Sequence, residues 1–463
     1  VSSQPLYTNS RWIVNSKGQR VKLTCVNWVS HMDVMLAEGL NHQPVDAISK
    51  SIINMGFNCV RLTWPLYLFT NDSLSSITVR QSFKNLGLFS SILGLQANNP
   101  SIVDLSVLDA YKAVVASLAK NNVMIILDNH ISKPGWCCSR FDGNGFFGDE
   151  YFDPHLWIQG LTKVAITFKA TTNVVGMSLR NELRGPLQNV DDWYRYMQKG
   201  AEAVHAANSD VLIILSGLSF DKDLSFLHQR PVNLTFSGKL VFEIHRYGFT
   251  DGDTWSADNA NQACGEVLND MVSRGAFVLE QGYPLFVSEF GADQRGTNVN
   301  DNRYFNCFLG LAAELDFDWA LWTLVGSYYL RDGIVGLNEY YGPGYAETRP
   351  HKNFIAAAIE LGPCSEAEAW SYAPTKALIV LGTYFCLQAD NKLGQPAKLS
   401  MICSDDGSKW DIISDSKMHL SSKLQDATSV CLDVDPNNVI VTQTCKCLST
   451  NDTTCDPEAS GSK

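Results

Sequence analysis

Basic charge is scarce in this chain: 36 Lys and Arg stand against 48 Asp and Glu, for a formal net charge of −12 and a pI near 5.2. A nucleic-acid partner would want a basic face, so that class is set aside. The acidity suits an acidic compartment, although many cytosolic proteins are as acidic. Long apolar runs are missing too. None approaches the roughly 20 residues of a membrane helix, and no membrane span is expected. No signal-peptide pattern opens the chain, and Val1 is read as a mature terminus. Metal-ligand spacing is also wanting. Cys445-Lys446-Cys447 is not a Cys-x-x-Cys, and no paired His spacing accompanies it. Neither metal nor organic cofactor is expected.

Cysteine, by contrast, is plentiful. There are 13, and Cys364, Cys386, Cys403, Cys431, Cys445, Cys447 and Cys455 crowd the C-terminal end at the density of a disulfide framework. The odd count leaves a thiol free or paired outside the chain. Cys25 and Cys59, on neighbouring strands, are read as inert buried thiols. Adjacent Cys137 and Cys138 are each expected to bond elsewhere, because vicinal pairs rarely close without strain. Acceptor triplets stand at Asn71-Asp72-Ser73, Asn233-Leu234-Thr235 and Asn451-Asp452-Thr453. With the cysteines they favour a secreted glycoprotein of the extracellular space, apoplast or cell wall. A monomer is expected.

The most informative stretch is Val174-Val175-Gly176-Met177-Ser178-Leu179-Arg180-Asn181-Glu182, followed by a turn at Arg184-Gly185-Pro186. It reads as a buried strand ending in a carboxylic acid, although an Asn-Glu pair could equally cap a helix. Pro284-Leu285-Phe286-Val287-Ser288-Glu289-Phe290-Gly291 repeats the device. Strand-tip acids are where a (β/α)8 barrel keeps its chemistry. Two glutamates about 5–5.5 Å apart are what a retaining glycosidase needs. Glu182 is expected to donate the proton and Glu289 to be the nucleophile.

Around these, the chain reads as eight strands with helices between most of them: an α/β, (β/α)8 TIM barrel over residues 1–363. A hairpin of 12–14 with 21–23 precedes strands at 23–27, 58–62, 123–128, 174–182, 211–216, 240–245, 284–291 and 318–323. Helices are expected near 45–55, 107–120, 155–168, 191–207, 261–273 and 303–315. Arg61, inside an apolar strand, is either an outward-facing strand-end residue or a cation that keeps a carboxylate ionised. The connection from Thr63 to Ser106, about forty residues, is far longer than usual and reads as a wall of a binding cleft. Trp64, Tyr67 and Phe69 lie in it as candidates to stack on a sugar. Trp28, Trp136 and Trp322 are further candidates, while Phe146 and Phe147 are as readily core residues. His130, His245 and Tyr247 fall at strand tips, and Glu243 is read as a structural partner for a cation. Asn181 suits a sugar 2-hydroxyl, and His130 and His245 could tune Glu182.

Beyond residues 364–376, read as a linker, composition shifts to β-prone pieces. Tyr384-Phe385-Cys386-Leu387-Gln388 is echoed by Ser429-Val430-Cys431-Leu432-Asp433, and Gly407-Ser408-Lys409-Trp410 by Gly461-Ser462-Lys463. Residues 377–463 are thus expected to form a smaller, disulfide-rich all-β module whose last unit is cut short.

The ordered set Arg61, His130, Arg180-Asn181-Glu182, His245-Arg246-Tyr247, Ser288-Glu289-Phe290-Gly291 and Trp322 resembles glycoside hydrolase family 5, the cellulase-type clan of retaining barrel enzymes. The resemblance covers about residues 1–363. It implies Glu182 as acid/base and Glu289 as nucleophile, with β-linked glucan or mannan as substrate. The C-terminal part resembles a ricin-type β-trefoil lectin module. Long loops and tail together resemble plant cellulase-like members, including pollen proteins described as allergens. Two alternatives stand beside this: an exo-acting β-glycosidase on a small glycoside, glycolipid or glycan end, and a non-catalytic carbohydrate-binding protein.

Overall fold

Eight parallel strands close on themselves in the order β10-β3-β4-β5-β6-β7-β8-β9. The computed structural model describes residues 5–256, 259–293, 298–325, 328–331, 334–335, 370–380, 386–400, 403–413, 420–424, 426–434 and 440–445. The strands are β3 (Thr24–Trp28), β4 (Cys59–Pro65), β5 (Met124–Ile131), β6 (Val174–Ser178), β7 (Leu212–Ser216), β8 (Leu240–His245), β9 (Leu285–Phe290) and β10 (Asp318–Leu324). Before them, β1 (Tyr7–Asn9) pairs antiparallel with β2 (Trp12–Val14). The expected hairpin is present in short form: its turn closes with Gly18 N–H on the Asn15 carbonyl and Asn15 N–H on the Gln19 carbonyl, but residues 21–23 form no strand. Residues 20–21 only bridge back to β2, through Val14 with Arg20 and the Val21 amide on the Ile13 carbonyl.

Period-two alternation sorts the strands' side chains. Cys25, Cys59, Met124, Ile126, Ile214, Val241, Phe286 and Ala320 form one buried apolar cluster with Leu6 and Ile13 of the N-terminal segment. Two residues further along the same inward rows stand Asn27, Arg61, Asp128, Ser216, Glu243, Ser288 and Trp322. An apolar floor therefore carries a polar layer toward the C-terminal mouth. Cys25 and Cys59 lie opposite each other in register, their Cα atoms 4.5 Å apart, and are joined by a disulfide. The expectation of two inert thiols is corrected by that alignment.

The helices are α1 (Val45–Asn54), α2 (Tyr67–Thr70), α3 (Asp72–Ser75), α4 (Val79–Asn85), α5 (Phe89–Asn98), α6 (Val107–Lys120), α7 (Pro154–Thr167), α8 (Val190–Ala207), α9 (Ala260–Arg274) and α10 (Val299–Glu314). Side-chain caps mark the starts of the longer ones. Ser106, Asp153, Asn189 and Asn298 each accept a first-turn amide, and Pro154 opens α7 where its missing N–H costs nothing. The long β4–β5 connection is not open loop. It folds into α2–α5 and buries Phe69, Phe83 and Leu95. Between β7 and β8 there is only a short 3-10 turn, Ser225–His228. No helix among the described residues is long and apolar enough to cross a membrane.

Two compact units emerge. The first comprises Val1–Thr250, Val267–Ala292 and Phe317–His351, and it holds the barrel. The second comprises Asp251–Glu266, Asp293–Asp316 and Lys352–Lys463. It contains the Cys264–Cys307 disulfide and two antiparallel sheets, of four and five strands. Leu387, Ala389, Trp410, Leu424, Val430 and Leu432 form a small core there, and disulfides join Cys386 to Cys403 and Cys431 to Cys445. Cys364, Cys447, Cys455, the Asn451 triplet, the echo at 461–463 and residues 364–369 of the expected linker lie outside the described residues.

Candidate active site

Arg61 is the hub of the polar layer, and it is fully buried. Its Nη1 donates to Asn27 Oδ1 at 3.0 Å and to Glu289 Oε1 at 2.8 Å, and its Nη2 to Asn181 Oδ1 at 2.9 Å. Asp128 Oδ1 stands 3.0 Å from Nη2, and Glu243 Oε2 is 3.7 Å from Nε. Burial works against its charge, but Asp128, Glu243 and Glu289 outweigh burial and raise the guanidinium's pKa. This is the inward cation of the two sequence readings. Glu243 is its structural partner, as expected.

Glu289 reaches this cation because β9 slips against β8. The register runs Ile244 with Val287, then His245 with Glu289, so Ser288 is skipped and Glu289 falls into the inward row. Its second oxygen accepts the Tyr247 hydroxyl at 2.9 Å. Glu182 stands opposite, just past β6, with a left-handed backbone at φ 43°. Its Oε1 is 3.0 Å from His245 Nδ1, which is 3.6 Å from Glu289 Oε2. Ligand atoms of Glu182, His245 and Glu289 all lie within 4.8 Å of one another, a spacing that could also hold a cation.

Burial pushes both carboxyls up to about 7, while the cations beside them, Arg184 and Arg61 for Glu182 and His245 and Arg61 for Glu289, pull back. Glu289 alone receives donors from both Arg61 and Tyr247, so it is the one that ionises first. Burial lowers the pKa of His245, which lies between the two acids, while the Glu289 charge works against that shift. The pair can hold a single proton near neutrality, one acid charged and one not.

His130 is fixed from every side. Its Nδ1 is 2.6 Å from Asp128 Oδ2, and its ring stacks between His31 at 3.9 Å and Trp322 at 5.4 Å. Burial, then the Arg61 charge, lowers its pKa, so the neutral ring donates Nδ1–H to Asp128 and turns Nε2 to the Asn181 amide, 3.4 Å away. That fixes Asn181: oxygen on Arg61, nitrogen on His130. The segment after Glu182 is held by Arg184, which donates to the Glu182 and Ser139 carbonyls and to Asp142. Arg180 bonds Asn129, Ser132 and Asn144 and lies 3.7 Å over the Phe152 ring.

Trp322 and Trp136 are both partly exposed and pack on one apolar patch with Val29, Met32, Val325 and Tyr329. Trp28 and Trp64 are not available to a sugar. Each directly follows an inward residue, Asn27 or Thr63, so it points out of the barrel and is fully buried. Trp28 donates to the Glu38 carbonyl, and Trp64 packs edge-on against Phe69. Phe69, Phe146 and Phe147 are likewise core residues. Arg246 turns to Asp270 at 2.6 Å. Cys137 and Cys138 bond each other, against expectation, because no other cysteine is brought to this loop among the described residues.

Several site residues were missed. Asp128 precedes His130 by two and so shares its face, a signal that was there to read. Ser288 Oγ, 3.1 Å from His245 Nε2, depends on the β9 slip. Asp221 follows two other left-handed residues, takes the His245 amide on its carbonyl at 2.8 Å and sets its carboxylate 3.5 Å from Nε2. Phe249, 62% exposed, stacks on Tyr247.

Comparison with known proteins places this arrangement. The profile of the family described as Cellulase (glycosyl hydrolase family 5) matches residues 14–327. A "Glycosyl hydrolase 5 family protein" of Chamaecyparis obtusa is 41% identical over 516 residues, covering 100% of this chain and 92% of that protein. Among solved structures, the catalytic domain of the major endoglucanase of Xanthomonas campestris pv. campestris shares the fold with a TM-score of 0.58 at 20% identity, over 72% of this chain and 97% of that one. An endocellulase of Pyrococcus horikoshii does so with 0.57 at 19%, over 76% and 98%. The chain belongs to glycosyl hydrolase family 5, and it is a retaining glycoside hydrolase.

Proposed function

We propose that the chain is an endo-acting β-glucan or β-mannan hydrolase working by double displacement, with Glu182 as acid/base and Glu289 as nucleophile. The observation that carries the assignment of roles is the asymmetry of the pair: Arg61 and Tyr247 both donate to Glu289, while among the described residues the Glu182 carboxyl has His245 alone within side-chain hydrogen-bond distance. Glu289 attacks the anomeric carbon as Glu182 protonates the departing oxygen. Glu182 then takes a proton from water, which displaces Glu289 from the sugar. Asn181 is placed for the 2-hydroxyl, His130 and His245 for neighbouring hydroxyls, and Trp322, Trp136 and Phe249 for sugar faces. The printed descriptions of the structural neighbours, endoglucanase and endocellulase, support endo action on glucan.

Hydrolysis of a panel of aryl β-glycosides and β-glycan oligosaccharides at pH 4–7, wild type against Glu289→Gln, tests this. Cleavage lost in the variant, with internal products, is the expected result. Glycan binding without cleavage by wild type would overturn it, and release of terminal units alone would replace endo by exo action.

The C-terminal sheets are proposed to be a ricin-type, trefoil-like sugar-binding module. Its support is the repeat: Cys386–Cys403 and Cys431–Cys445 close loops of separation 17 and 14 after equivalent Cys-Leu pairs. Secretion to the extracellular space is proposed on the five disulfides among the described residues. Pull-down on insoluble glycans and localisation of a tagged chain would test the two.

A further inference from the structure

The glycosidase reading leaves the Cys137–Cys138 disulfide without a task. A disulfide stabilises a fold mainly by closing a loop of the unfolded chain, more for longer loops. A bond between adjacent residues closes no such loop. Its use has to be local, and its surroundings are specific. Both cysteines are half-buried at the edge of the site. Asn181 Nδ2 lies 3.7 Å from the Cys137 sulfur and 3.6 Å from the Cys138 sulfur. Both sulfurs and a ring nitrogen of His130 fall within 4.8 Å of one another.

The Asn181 amide is therefore bounded by Arg61 at its oxygen, by His130 beyond its nitrogen and by the two sulfurs beside that nitrogen. The first two set which way the amide faces. The sulfur pair limits how far it can swing, since two atoms tied through one peptide unit move as a single body. A disulfide is also soft and polarizable, and its outer face suits the C–H surface of a sugar ring.

We propose that the Cys137–Cys138 disulfide is a positioning element of the reacting subsite. It holds the Asn181 amide against the sugar 2-hydroxyl and gives the ring an apolar ledge. This rests on the reading of Asn181 as the 2-hydroxyl partner. Opening the bond replaces the ledge by two independently rotating thiols.

The test compares kcat and KM on aryl β-glycosides and their 2-deoxy counterparts for wild type, Cys137→Ser/Cys138→Ser and Asn181→Ala. In the double variant, kcat/KM on the 2-hydroxy substrate should fall about ten- to a hundredfold, and the 2-deoxy substrate should change by less than about threefold. Asn181→Ala should show the same selective loss. Equal losses on both substrates in the double variant would mark a purely structural bond and overturn the inference. So would an unchanged 2-hydroxy to 2-deoxy ratio there while Asn181→Ala collapses it. If Asn181→Ala itself leaves the ratio unchanged, the Asn181 reading fails, and the inference with it.

Folded wild type in dithiothreitol gives the same comparison should the double variant not fold. The dithiol becomes its cyclic disulfide as each cysteine sulfur gains an electron and a proton, and thiol trapping with mass analysis reports which bonds opened. Selective loss on the 2-hydroxy substrate, reversed on reoxidation, is expected. Opening of this bond without a change in the ratio would refute the inference.

Discussion

The two glutamates should titrate as a widely split pair. Their oxygens lie within 4.8 Å, and burial raises both to about 7. At that distance, and with an effective dielectric constant of about 20, a second negative charge costs about 3.5 kcal/mol. At 1.36 kcal/mol per pH unit this separates the two proton losses by roughly 2.5 pH units. For an aryl β-glycoside, kcat/KM against pH should be a bell. Its acid limb is ionisation of Glu289 and its alkaline limb is deprotonation of Glu182. Glu182→Gln, assayed with a dinitrophenyl glycoside whose leaving group needs no proton, should abolish the alkaline limb. The acid limb should remain within about half a pH unit, because the partner is uncharged in both enzymes while Glu289 ionises. An alkaline limb that persists in Glu182→Gln would refute the assignment. Wild-type limbs less than about one pH unit apart would refute the coupling.

Three further outcomes follow from the geometry. Arg61→Met leaves Asp128, Glu243 and Glu289 without their shared cation and should cost about 3–5 kcal/mol, read as a lower urea midpoint at pH 7. Gly145→Ala would set a Cβ 2.6 Å from the Arg184 carbonyl oxygen and 2.7 Å from its Cγ, so it should cost roughly 1–3 kcal/mol in thermal unfolding and lower kcat by displacing Glu182. Because Glu289 is raised from 4.5 to about 7, its contribution to stability is complete below pH 4.5 and is lost as pH rises through 7. The stability of Glu289→Gln relative to wild type should therefore improve by about 3 kcal/mol from pH 4 to pH 8, measured by urea unfolding at both.

Much of the barrel was legible because its strands carry near-continuous apolar runs and its helices start at capping residues. The strand at 240–245 and the helix at 107–120 have the expected bounds, and Glu182 and Glu289 are brought together as their strand-tip positions implied. What escaped depended on the face of a strand rather than its existence. Arg61 and Trp64 share β4, three residues apart, and therefore look in opposite directions. An aromatic at a strand end announces itself to a reader of sequence whether it faces ligand or helix. Phe249 escaped for the converse reason: it lies in a loop, and its stacking on Tyr247 is a tertiary fact. Cysteine pairing was illegible because it follows register, as with Cys25 beside Cys59.

Glu182 occupies a backbone conformation that a non-glycine residue adopts at a cost of about 1–2 kcal/mol, and it does so while burial opposes its charge. Replacement by glycine or asparagine relieves both penalties at once. At this position stability and turnover therefore pull apart: glycine or asparagine gains the first and forfeits the second.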